Sequence, residues 1–481
     1  MASRSNGGLL IAAALGAALL AAVIPTDSEA TGLPGGTPAR AISDRDILRG
    51  WTWSLQSRPA ASDDEVGSET SSAGVEVLAV DVDRSGNVLV AGGVTGKVKI
   101  GGKVVGSASG SRGFMARVDA SGNATLVKLL AGFAPAVTAI RADADTGVFA
   151  SSVDRGVFHV DRSGREVWWL PDLAHPNAIA LLRSRDLVTG GCERWEGPTP
   201  FPGATPIDRF GRGYVARLTA KGVLKWKFSF GAGNPFKPPA TCVTDVAEGP
   251  GGDLYVAGVF GEDIVVGSQT LAASSGSKFV ARFSSDGRPR WARALPLDPS
   301  IEPPAPKAGQ PFIDPIARAI DAYAPVRIAA LASGEVAVVG GIVKTARSSA
   351  VGLAMIRADS AVDWLLPVGG SKGTDVVGDT VLTCRGGEVF LAGAFAGDLR
   401  IGDKHISQPA GASDGVFFAR VRGHDGTATA LKRIPPTSGS RAALPPGQGA
   451  HPAGIVADRA AIWLGGKIED MGAAFVHRLS M

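Results

Sequence analysis

One short pattern recurs along the whole chain and limits what it can become: a turn, a strand closing on small residues, a variable loop, then a second strand running into a Gly turn. GGDLYVAGVF at 251–260, followed by KFVARFSSDGRPRW at 278–291, shows it complete. The first half returns as GNVLVAGGV (86–94), RDLVTGGCE (185–193), GEVAVVGGI (334–342), GEVFLAGAF (387–395) and AAIWLGGKI (460–468). The second half returns as FMARVDASGN (114–123), YVARLTAKGV (214–223), LAMIRADSAV (353–362), FFARVRGHDG (417–426) and FVHRLS (475–480), and a shorter copy lies at 148–169. Each copy is too small to bury its own apolar face, so neighbours must stack, and the period is that of propeller blades, roughly 40 to 50 residues. The seven copies predict an all-β, seven-bladed β-propeller of four-stranded antiparallel blades.

The two ends of the chain bear on how such a ring would close. The last copy stops at Met481 after its third strand, while LRGWTWSL (48–55) stands alone before the first copy, with Trp51 and Trp53 alternating as in a half-buried strand. The pattern predicts that Trp51–Leu55 supplies the missing outer strand of the final blade, which leaves no free sheet edge at the seam. The expected blades are 75–130, 137–170, 177–230, 242–295, 326–367, 376–433 and 453–481, the last completed by 49–55.

Residues 1–30 read as a signal peptide. Arg4 precedes an apolar run from Leu9 to Ile24, and Ser28, Glu29 and Ala30 form a small-x-small site before Thr31. The run is shorter than the roughly 20 residues a membrane span needs. Cleavage after Ala30 leaves a polar lead-in at 31–48, no transmembrane segment, and an exported protein in the periplasm, at the cell surface or outside the cell; the alternative is an uncleaved segment that stays as an anchor. Residues 57–74 are too polar to pack. The Pro-bearing insertions at 296–325 and 435–452 read as loops between blades, the first with room for a short helix at Ile313–Ala322.

Composition narrows the functional classes. The 65 Gly and 31 Pro supply turns, and 45% hydrophobic residues are ample for a core. The 49 basic and 45 acidic residues are interleaved, with no Lys or Arg run to track phosphates, which argues against a nucleic-acid partner. No HExxH pair, phosphate loop or CxxC occurs. No catalytic residue is assigned. The alternative is an enzyme, hydrolytic or quinone-dependent, with a site assembled at the channel mouth.

Of three cysteines, Cys192 ends the second strand of blade three and Cys242 opens the first strand of blade four, which puts them on one face of adjacent blades. In an oxidising compartment they either bridge or remain two buried thiols; Cys384 reads as a small buried residue. The acidic turns at 81–87, 119–123, 143–147 and 161–164 invite calcium, but the same residues suit hairpin turns, and no cofactor or metal is predicted. Arg117, Arg217, Arg282, Arg420 and Arg478 share one position in the third strand; pairing with acidic neighbours explains them better than an anion-binding ring. Trp168, Trp226, Trp291 and Trp364 share one position after the turn and are expected between blades.

The segments 96–118, 261–283 and 397–421 resemble the bacterial β-propeller repeat of exported proteins, in which a Gly turn and a small extra hairpin precede a strand and an Asp-x-x-Gly turn. AKGVLKWKF (220–228) and RSGREVWW (162–169) are similar to the pyrroloquinoline-quinone-type repeat, without the vicinal cysteines of its dehydrogenases. Both resemblances imply the fold and little about activity. The reading that follows is a monomeric, non-catalytic binding or scaffold module for a protein or polysaccharide of the cell envelope. Its contact face is formed by the hairpins Lys97–Val105, Ile264–Leu271 and Leu399–Ile406, on the same side as Cys192 and the candidate contact residue Trp195. It predicts that shortening the hairpins removes partner capture with little loss of thermal stability.

Overall fold

In this computed structural model the described residues are 58–59 and 74–480, apart from 101–102, 120–122, 131–135, 144–146, 174, 195–209, 231–240, 262, 273–276, 296–325, 341–350, 370–379, 409–414, 435–449, 459–460 and 469–472. Seven antiparallel sheets succeed one another along them, at 74–129, 137–170, 176–229, 241–295, 327–369, 380–434 and 450–480. Blade four shows the plan, with Thr241–Glu248 innermost, then Leu254–Phe260, Ser277–Phe283 and Pro289–Leu295 outermost. The second strand is buried at all of its positions because a neighbouring blade covers each face of the sheet, whereas outer strands such as Leu224–Ser229 leave alternate residues exposed.

The core is divided among the seams. Seven apolar clusters each join one blade to the next: Leu89 with Phe158 across blades one and two, Phe149 with Tyr214 across two and three, and Phe230 with Phe279 across three and four. Tyr255 with Val338, Leu353 with Phe417, and Phe418 with Phe475 span the next three seams. The seventh cluster joins Trp463 and Val476 of blade seven to Val77 and Val90 of blade one, so the blades form a ring. The fold is the all-β seven-bladed propeller that the repeats require.

Glycine in the turn after the third strand has two reasons. Gly222 has φ +80°, a region that L side chains avoid, and a Cβ there would stand 2.8 Å from the Trp168 ring of the preceding blade. Gly287 repeats this against Trp226, with φ +87° and 2.7 Å.

Blade seven contributes the three described strands Ala450–Ala457, Ala461–Ile468 and Ala473–Ser480. The expected closing strand Trp51–Leu55 lies outside the described residues, as do the insertion at 296–325 with its expected helix and the signal segment 1–30. Just beyond the expected strand, Arg58–Pro59 pairs with the hairpin of blade one, Arg58 opposite Lys99 and Pro59 opposite Val98. No helix among the described residues is long and apolar enough to cross a membrane.

Candidate functional site

Three blades carry an extra hairpin between their second and third strands, in the places the sequence indicates. Their registers are equivalent. An apolar pair faces inward: Val98 with Val105, Ile264 with Leu271, and Leu399 with Ile406. The next pair differs each time, Lys99 opposite Val104, Val265 opposite Thr270 and Arg400 opposite His405, and Val104, Val265, Thr270, Arg400 and His405 are exposed.

The hairpins do more than project. Val98, Ile100, Ile264, Val266, Leu399 and Ile401 are each at most 1% exposed, and each hairpin folds over the seam with the preceding blade. In blade six, Ile401 and Arg400 pair with Val368 and Gly369, extending the outer edge of blade five. Deleting a hairpin would uncover several apolar side chains, each worth about 1.5–3 kcal/mol when buried. The expectation that the hairpins can be shortened without loss of stability is therefore corrected. What the hairpins leave free are their outward residues, above all Val104 at 61% exposed and Val265 at 43%.

A disulfide joins Cys192 to Cys242 across the seam between blades three and four, with Cα atoms 4.7 Å apart. It packs with Val259, and the Asn177 amide donates to the Cys242 sulfur at 3.0 Å and to the carbonyl of Val243 at 3.0 Å. Trp195 lies outside the described residues. Cys384 is a free, half-buried thiol; burial pushes its pKa up, and Sγ lies 3.6 Å from the carbonyl of Ala329.

On the ring axis, first-strand residues of all seven blades line one cavity of about 90 Å³, among them Val80, Thr138, Asn177, Asp245, Arg327, Leu382 and Ile455. β-Bulges at Thr138, Asn177 and Thr244 aim three polar side chains at the next blade. Thr138 donates to the carbonyl of Pro176, Asn177 to that of Val243 and Thr244 to that of Val326, at 2.7, 3.0 and 2.9 Å. Asp81 accepts from the Ala142 N–H at 2.7 Å, and Asp245 from the N–H groups of Val246 and Ile328 at 2.9 Å. Burial pushes both carboxyls above the usual carboxylate range, against the pull of Arg141 on Asp81 and of Arg327 and Arg141 on Asp245. The sequence reading missed this girdle; the only signal was a polar residue at the bulge position of consecutive first strands.

The acidic turns and the repeated arginines satisfy one another. Asp83 accepts from the backbone of Ser85 and Asn87, both at 2.9 Å, and meets Arg117 at 3.3 Å. Arg217 meets Asp186 and Arg282 meets Asp253, both at 2.6 Å; Arg420 meets Glu388 at 2.5 Å, and Arg478 lies over the Trp463 ring. Burial alone would raise the Asp186 carboxyl, but the Lys225 and Arg217 donors outweigh it and hold the group below its usual range. In blade two His159 takes the arginine position and faces Asp143 at 3.1 Å; burial lowers its pKa, with Asp143 opposing.

No family model and no curated protein matches the chain. Solved structures similar to it include BamB from Moraxella catarrhalis, at 12% identity over 84% of this chain and 83% of that one, with a TM-score of 0.39. The computationally designed Ika8 protein aligns at 11% identity over 84% and 96%, with a TM-score of 0.38. Raptor from Chaetomium thermophilum aligns at 10% identity over 85% of this chain and 28% of that one, with a TM-score of 0.46.

Proposed function

We propose that this chain is an exported, monomeric, non-catalytic binding or scaffold propeller of the bacterial cell envelope or exterior, which takes a protein or polysaccharide on the rim formed by its three hairpins. The observation that carries the reading is the division of labour within the hairpins. Their inward pairs are uniformly apolar and seal the seams, while the exposed residues Val104, Val265, Thr270, Arg400 and His405 vary in charge, size and polarity. A rigid ring that presents variable side chains at one edge is the arrangement in which recognition residues can change without cost to the fold.

The test changes the outward residues and spares the inward ones. A Val104→Glu/Val265→Glu/Arg400→Glu variant is expected to keep its melting temperature within a few degrees while losing capture of the partner that wild type retains from envelope extract. Capture undiminished in the variant, at equal loading, would overturn the rim reading.

A further inference from the structure

Two arginines break the rule that governs the repeated ones. Arg117, Arg217, Arg282 and Arg420 each meet a carboxylate. Arg141 of blade two and Arg327 of blade five line the central cavity, and among the described residues neither has a carboxylate within ion-pair distance. Each gives one guanidinium hydrogen bond to a backbone carbonyl: Arg141 to Ile140 at 2.8 Å, and Arg327 to Thr244 at 3.1 Å. The Nε of Arg327 is buried and has no hydrogen-bond partner among the described residues. The other guanidinium N–H groups of the two arginines have no acceptor among the described residues, which leaves donors for a ligand in the cavity they line.

The carboxylates nearby do not fill that role. Asp245 spends its two oxygens on the N–H groups of Val246 and Ile328, and Asp81 accepts from that of Ala142. They moderate the field without capping the guanidinium groups. The lining mixes the polar groups of Thr138, Asn177 and Asp245 with apolar residues such as Val80, Ile179, Leu382 and Ile455, and the arginines are its cationic members, so they would neutralise a bound anion. A guanidinium fork matches the oxygens of a carboxylate or phosphate and bonds them strongly where water is scarce. The volume of about 90 Å³ admits one small oxyanion.

We propose that the central cavity is a binding site for a small oxyanion, a carboxylate or phosphate group, held between Arg141 and Arg327 at the axis of the ring. The site is independent of the hairpin rim. The ionisable groups lining the cavity or facing its arginines are Arg141, Arg327, Asp81 and Asp245. Anion affinity therefore rises as pH falls and the two carboxyls take up protons.

Calorimetric titration of the full chain with sodium acetate, and separately with inorganic phosphate, at low ionic strength tests this, with sodium chloride as the control. One saturable site per chain is expected for at least one oxyanion; acetate alone would assign a carboxylate, and phosphate alone a phosphate group. Arg141→Gln and Arg327→Gln are each expected to weaken binding about tenfold or more, the worth of a hydrogen bond to a charged group. Asp245→Asn is expected to tighten binding, a gain that misfolding cannot imitate. No saturable heat from either oxyanion at millimolar concentration would overturn the proposal, and so would binding by the wild type that Arg141→Gln, Arg327→Gln and Asp245→Asn leave unchanged. The Val104→Glu/Val265→Glu/Arg400→Glu variant is expected to bind as wild type does, so failure of the rim reading is separable from failure of this one.

Discussion

The indole N–H of Trp364 in blade five donates to the carbonyl oxygen of Gly423 in blade six at 2.7 Å. The relation repeats around the ring: Trp168 to Ala220 at 3.0 Å, Trp226 to Ser285 at 3.2 Å and Trp291 to Ala358 at 2.8 Å. Arg217 and Arg282 reach the same two carbonyls, Ser285 and Ala358, at 2.6 Å, while each also meets an acid of its own blade. Each of these four seams is thus pinned at its outer edge by a tryptophan and, at two of them, by an arginine as well.

Trp364→Phe keeps an aromatic ring and removes the donor, leaving the Gly423 carbonyl without that partner. A loss of about 1–2 kcal/mol is expected, read as a lower midpoint in urea with an unchanged slope. A midpoint equal to wild type would show that packing alone holds the seam.

The same geometry bears on ring closure. At the seam of blades five and six, Gly369 lies opposite Arg400; at the seam of blades seven and one, Arg58 lies opposite Lys99, the equivalent hairpin position. Trp364 lies five residues before Gly369, and Trp53 five before Arg58. Continued back from Arg58, that register predicts an outer-strand position for Trp53, which lies outside the described residues. Removing residues 31–57 is expected to lower the melting temperature and speed amide exchange in 475–479, while removing only 31–48 leaves both unchanged. Equal behaviour of the two truncations would disprove a latch at Trp53.

Blade five differs at the turn glycine. Ser360 stands where Gly222 and Gly287 stand in blades three and four, and it holds φ +75° without being glycine. Ser360→Gly relieves that conformation and is expected to stabilise the protein by about 0.5–1 kcal/mol, the cost of a left-handed L residue less the added freedom of the unfolded chain. A destabilised variant would mean that the Ser side chain contributes more than its backbone costs.

The blades and the pairing of repeated arginines with acids were legible in the sequence because each depends on one residue type returning at one spacing. The dual role of the hairpins was not. Val98 and Leu399 look like any apolar residue in a loop until the register shows them sealing the seam with the preceding blade. The girdle of Thr138, Asn177 and Thr244 escaped notice for another reason: a bulge shifts the facing of the strand by one residue, so simple alternation assigns those side chains to the wrong side. Arg141, Arg327 and Asp245 come from three blades, and only ring closure brings them together.

The disulfide closes a loop with a sequence separation of 50 and pins one seam near the axis. Reduction, or a Cys192→Ala/Cys242→Ala variant, is expected to cost about 2–4 kcal/mol, measured by urea unfolding with and without reductant. Thiol titration of the denatured, unreduced chain is expected to find only Cys384. Three titratable thiols in protein purified from an oxidising compartment would exclude the bridge.

Lys278 is the one buried lysine among the described residues, 1% exposed at the start of the third strand of blade four and opposite Val259, which packs on the disulfide. Burial lowers its pKa from 10.5 to about 7. A lysine whose folded pKa lies below its unfolded value penalises folding wherever the unfolded chain is charged. The penalty is absent above about pH 10.5, grows as pH falls toward 7, and is constant below that. Lys278→Met removes the charge and keeps the length of the side chain. It is expected to raise the melting temperature by several degrees at pH 6–7 and to flatten the pH dependence between 7 and 10. A melting temperature lowered at pH 6 would show that the Lys278 ammonium is held by an interaction stronger than its cost of burial.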